Sequence, residues 1–143
     1  ENIIHCAKQL KDNTFHIVGG LEEDIKYWKN IAKNFDLENV YFYGFVHPKE
    51  TIKYLNSFDI VLAPYYKKVT VAGNIGDNSK IMSPLKIFEY MSSKKPIISS
   101  NHKVLREVLI NDVNSILCDP ENLNEWLIAI NRLKKKKIKK LFE

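Results

Sequence analysis

No stretch of this 143-residue chain approaches the run of about 20 apolar residues that a bilayer-spanning helix requires, so no transmembrane segment is expected. The N-terminus, ENIIHCAKQL, lacks a basic start followed by an apolar block, and no secretory leader is expected either. Cysteine is scarce. Cys6 and Cys118 are too few for a disulfide framework and match no metal-ligand spacing, which makes a reducing cytoplasm the expected setting. Arginine is scarcer still for a basic chain: Arg106 and Arg132 are the two present, although arginine makes the better bidentate contacts to phosphates and bases. An initiating methionine is missing as well. The chain opens directly in an amphipathic pattern, with Ile3, Ile4, Ala7 and Leu10 on one face, and reads as a piece of a larger protein.

The formal charge of +5 is concentrated at one end. Six lysines lie in KKKKIKK, from Lys134 to Lys140, and five less six leaves the remainder at −1. A solvated helix end is one reading of this tail. The other is attraction to an anionic membrane surface, where each clustered lysine contributes about 1 kcal/mol. No nucleic-acid partner is expected.

The apolar share of 45% and charged share of 27% are those of a globular protein. Short apolar runs alternate with longer helical patterns. TFHIVG (14–19), VYFYGFV (40–46), DIVLAPY (59–65), PIISS (96–100) and SILC (115–118) read as strands. Helices are expected over 22–35, 48–58, 84–93, 102–110 and 122–140, with a long polar loop before residue 84. Strands separated by helices of this length imply βαβ units, parallel pairing and right-handed crossovers. The expected fold is therefore α/β, a Rossmann-like doubly wound parallel sheet, with residues 1–143 as a single domain.

Such sheets bind ligands at the C-terminal ends of their strands. That rule selects Gly19 and Gly20, His47 with Val46 before it, the 65–83 loop, and Ser100. Gly19-Gly20 lets a phosphate or sugar approach the backbone, or simply forms a turn of positive φ. The helix opened by Ser83 and Pro84 has a good cap and a proline at its first position. Its free N–H groups at Leu85, Lys86 and Ile87 would face an anion, and Lys86 works against the helix dipole unless an anion is there. Glu89, one turn on, fits either a vicinal diol or a plain ion pair with Lys86. No G-x-G-x-x-G occurs, and GNIGDNSK lacks the ending of a P-loop. The four histidines, at 5, 16, 47 and 102, form no metal spacing and no triad pattern.

SPLKIFEYMSSKKPIISSNHKVLREVL closely resembles the donor-binding segment of the retaining glycosyltransferases of family 4, and FHIVGG, VYFYGFV and FDIVLAPY precede it in the same order. The resemblance implies the C-terminal, nucleotide-sugar-binding half of a GT-B fold, with the first strand and the acceptor-binding domain lying upstream of Glu1. It implies that Glu89 is the second glutamate of the Glu-x7-Glu motif and holds the ribose hydroxyls. Backbone N–H groups at Leu85 and Lys86 would face the diphosphate, Gly19-Gly20 would border the donor, and Phe45 to His47 would flank the base. Ile81 stands where the motif's first glutamate contacts the donor sugar, with Asp77, Asn78, Ser79 and Ser83 as nearby polar substitutes.

The expected activity is retaining transfer of a sugar from a nucleoside diphosphate sugar to a glycan or lipid-linked acceptor, by a bacterial polysaccharide-building enzyme. No metal or cofactor is expected, and the isolated domain is expected to be inactive. Its location would be cytoplasmic, peripheral at the inner face of the plasma membrane if the lysine tail makes that contact. Acid/base residues for a GT-B nucleotide-sugar epimerase are not found. A non-catalytic nucleotide-binding or interaction module is the reading from another class.

Overall fold

The structure, a computed structural model, describes residues 1–66 and 85–136. Ser83, Pro84, Ile81 and its polar neighbours, and the tail beyond residue 136 lie outside them. In chain order the elements are α1 (Asn2–Gln9), β1 (Phe15–Val18), α2 (Glu22–Asn34), β2 (Val40–Gly44), α3 (Pro48–Ser57), β3 (Val61–Ala63), α4 (Leu85–Ser92), β4 (Ile97–Ser100), a 3-10 turn (Leu105–Glu107), β5 (Ile116–Cys118) and α5 (Leu123–Lys136). Among the described residues β1-β2, β3-β4 and β4-β5 pair in parallel, as the βαβ alternation requires. They form two sheets among the described residues, β1-β2 and β3-β4-β5. The chain divides correspondingly into two compact units, Glu1–Tyr54 and Leu55–Glu143.

In the first unit, Phe15 pairs with Val40 and Ile17 with Phe42, and the register slips between Ile17 and Val18 so that Val18 meets Gly44. Ile4, Cys6, Ala7, Phe15 and Ala32 are buried. Asn39 fastens the helix to the strands. Its side-chain amide donates to the carbonyls of Ala7 (3.0 Å), Leu10 (3.2 Å) and Asn13 (2.9 Å). The end of α2 is a Schellman motif: Leu37 N–H bonds to the Ala32 carbonyl and Asp36 N–H to that of Lys33, both at 3.0 Å. The left-handed position, φ 51°, is held by Asp36 where glycine is usual.

In the second unit β4 is central and all four of its residues are buried, the pattern of a strand covered on both faces. Leu55, Val61, Ala63, Ile87, Ile97, Leu105 and Leu109 form one apolar cluster. Along α5, Trp126, Ala129, Ile130 and Leu133 are buried, a helical stripe at spacings of three and four. The expected helix over 102–110 is reduced to the 3-10 turn. Asn114 is the reason: its amide oxygen accepts the Ile110 N–H at 2.8 Å and its amide nitrogen donates to the Val108 carbonyl at 2.9 Å. Those backbone groups are captured before an α-helix can extend. The strand expected over 59–65 contracts to three residues, because Pro64 cannot continue the ladder and Tyr65 N–H turns back to the Ala63 carbonyl at 3.0 Å.

Candidate functional site

Two helices begin where the rule for parallel sheets places ligands, and their charges differ. After β1, Gly19 and Gly20 take φ 95° and 98°, and Gly19 N–H donates to the Gly44 carbonyl at 2.7 Å. A Cβ added at Gly19 would meet nothing within 4 Å, so the glycine is required by its backbone angle rather than by space. The pair lines a cleft of 390 Å³ together with Ile17, Ile25, Trp28 and Phe42. The helix that follows carries Glu22, Glu23 and Asp24 in its first turn. Three carboxylates already occupy that positive helix end, and a phosphate there would be repelled.

The start of α4 is the opposite. Its first turn has no acidic residue and carries Lys86. The helix packs through buried Ile87 and partly buried Tyr90, which leaves Leu85, Lys86 and Glu89 exposed. Lys86 Nζ and Glu89 Oε2 are 3.9 Å apart, with both side chains more than half exposed. An exposed pair of this kind contributes about 0.2–0.5 kcal/mol to a helix. It is loose enough for each partner to be recruited by a ligand. Of the residues selected from sequence, this unit therefore brings Leu85, Lys86 and Glu89 together on one exposed helix face.

His47 has a local task that sequence reading missed. Its carbonyl accepts Glu50 N–H at 2.8 Å and Thr51 N–H at 3.3 Å, and its Nδ1 accepts Lys49 N–H at 3.3 Å. It is the N-cap of α3, with Pro48 at the first helical position. The signal was the His-Pro pair itself. Val46 is partly buried and Phe45 almost fully exposed beside it.

At the C-terminal ends of β3 and β4, Ser100 Oγ donates to the Tyr65 carbonyl at 2.7 Å. Tyr90 Oη donates to the Leu62 carbonyl at 3.4 Å. Burial, and then the negative charge of Glu89, hold the Tyr65 hydroxyl above the ordinary tyrosine range. Burial, followed by Tyr65 and Glu89, pushes the Tyr90 hydroxyl up to about 12. Just beyond Ser100, His102 is buried and its Nε2 has no hydrogen-bond partner among the described residues.

Parallel βαβ units with helices between the strands define a Rossmann-like α/β class. The family described as glycosyl transferases group 1 matches residues 1–136, and the chain belongs to it. Uncharacterized glycosyltransferase MJ1069 of Methanocaldococcus jannaschii is 28% identical over 145 residues, which cover 94% of this chain and 34% of that protein. The chain thus spans about a third of that relative. Among solved structures, Anabaena Alr3699/HepE in complex with UDP has a TM-score of 0.75 at 21% identity, over 96% of this chain and 36% of that one. Sucrose-phosphate synthase from Thermosynechococcus elongatus has 0.76 at 17%, over 96% and 33%. The C-terminal domain of the glycosyl transferase group 1 family protein LpcC from Francisella tularensis has 0.73 at 21%, over 96% and 69%. The fold is that of a GT-B glycosyltransferase domain. No described helix is long and apolar enough to cross a membrane.

Proposed function

We propose that the intact protein transfers a sugar from a nucleoside diphosphate sugar to a glycan or lipid-linked acceptor with retention of configuration, and that this chain is its donor-binding domain. The family match over residues 1–136 carries the reading. Related folds solved with UDP and with UDP-glucose support a donor of that chemical class.

Free N–H groups at Leu85 and Lys86, with the Lys86 ammonium, receive the diphosphate. As the sugar–phosphate bond breaks, negative charge grows on the leaving diphosphate, and preorganised donors stabilise that charge without needing to move. Glu89 accepts hydrogen bonds from the ribose diol. Gly19-Gly20, Val46 and His47 keep in this reading the donor-side roles that the resemblance implies. The lysine tail gives peripheral contact with an anionic membrane face, which suits a lipid-linked acceptor. The chain alone has no transferase activity, because the acceptor-side groups belong to the rest of the enzyme.

Calorimetry of UDP and GDP binding to the intact protein and to Glu89→Ala tests the site. Loss of a carboxylate holding a diol should weaken the preferred nucleotide about tenfold or more, since hydrogen bonds to charged groups contribute about 1.5–3 kcal/mol. Equal binding by both proteins would remove Glu89 from the ribose.

A further inference from the structure

One face of the β1-β2 pair carries a ladder of rings. His16 pairs across the strands with Tyr41, and their rings stack with centroids 5.1 Å apart and planes inclined by 13°. His16 also stacks on Tyr43, at 5.8 Å and 21°, and Tyr54 of α3 meets Tyr43 edge-on at 5.0 Å. Both imidazole nitrogens are engaged, Nδ1 with the Tyr43 hydroxyl at 2.9 Å and Nε2 with the Thr14 hydroxyl at 3.1 Å. The rings are therefore fixed before any ligand arrives, which lowers the ordering cost of binding. Tyr41 is nevertheless 45% exposed and Tyr43 43%. The residues of the opposite face are used differently: Phe15 is buried, and Ile17 and Phe42 line the cleft beside Gly19. Neither strand, FHIV or VYFYG, contains an acidic residue, a lysine or an arginine.

We propose that this ring ladder is a glycan-docking surface, separate from the donor site, which holds a neutral oligosaccharide against Tyr41 and Tyr43. A pyranose presents weakly positive C–H groups on its face, the complement of the negative face of an aromatic ring. Its hydroxyls find partners at the rim in the hydroxyls of Tyr41, Tyr43 and Thr14, which both donate and accept. A nucleic-acid strand would also stack on rings, but it needs cations for its phosphates, and these two strands supply no lysine or arginine. An anionic lipid surface fails on the same ground. A polymer held here stays at raised local concentration for the rest of the same molecule. That consequence rests on the proposed glycan acceptor, whereas the surface shares no residue with the proposed donor site.

The test uses the intact protein with maltohexaose, cellohexaose and mannohexaose as neutral probes, polyuridylate as an anionic one, and UDP for the donor site. Calorimetry should find at least one hexasaccharide binding to wild type with a Kd of about 1 mM or below. Tyr41→Leu keeps apolar bulk and removes the flat ring, and should weaken that binding about fivefold or more. Tyr41→Phe keeps the ring and should stay within about threefold, with UDP binding unchanged in both variants. In wild type the bound hexasaccharide should slow nitration of Tyr41 by tetranitromethane, read by mass spectrometry, which does not depend on how a variant folds. Glu89→Ala should leave hexasaccharide binding intact, so this proposal and the donor reading fail separately. Absence of hexasaccharide binding, unchanged binding by Tyr41→Leu, or tighter binding of polyuridylate than of every hexasaccharide overturns the proposal.

Discussion

The hydroxyl of Ser100, at the end of β4, donates to the main-chain carbonyl of Tyr65 across 35 residues of sequence, at 2.7 Å. It locks two neighbouring strand ends together at a depth where water cannot replace it, since Ser100 is fully buried. Ser100→Ala should cost about 1–2 kcal/mol of stability, because a carbonyl loses its donor. Denaturant unfolding checks the loss.

Asp36 occupies a left-handed position that glycine adopts without strain. Asp36→Gly should raise the unfolding free energy by about 0.5–1 kcal/mol, since it relieves the backbone while keeping both Schellman hydrogen bonds. A chemical denaturation midpoint that falls would contradict this.

Tyr90 ionises in the folded protein near pH 12, above the ordinary value of 10. The folded state therefore binds more protons than the unfolded state in that window. Its contribution to stability is complete below pH 10 and is lost as pH rises through about 12. Cys6 adds the same sign from about 9 to about 11. Stability should fall steeply above pH 9, and Tyr90→Phe should flatten the upper part of that fall in pH-dependent unfolding.

Lys86→Met keeps the apolar stem and removes the charge. It should weaken UDP at least fivefold and leave uridine binding within twofold, because a nucleoside offers no phosphate to the ammonium. The salt dependence of UDP binding should become shallower as well. Parallel losses for UDP and uridine would place the lysine elsewhere than at the phosphates.

His102→Leu removes a buried nitrogen that has no described hydrogen-bond partner. An unmatched polar atom costs about 1–3 kcal/mol, so this substitution should leave the thermal midpoint unchanged or raise it. A marked drop would mean that the imidazole is holding the segment together.

Features carried by local periodicity were legible in the sequence. The strand run over 96–100, the helices over 22–35 and 48–58, and the pairing of Lys86 with Glu89 at a spacing of three all rest on neighbours within a turn or two. What could not be read depends on contacts between distant segments. Nothing near Tyr65 announces Ser100, and nothing near residue 105 announces that Asn114 will take its backbone partners. His47 lay in between. Its place before a proline was visible, and its imidazole as a helix cap was not, because serine, threonine, aspartate and asparagine are the usual caps. The division of the five described strands into two sheets is likewise absent from the pattern, which gives strand identity but not partners.

The amide of Asn39 has a chemical consequence beyond holding three carbonyls. An asparagine nitrogen donates, whereas an aspartate oxygen only accepts. Hydrolysis of that one amide would set a negative charge against three carbonyl oxygens at about 3 Å. The first unit is thus keyed to an amide: an Asn39→Asp exchange, a change of about one dalton, would replace the shared donor with an acceptor and unfasten α1.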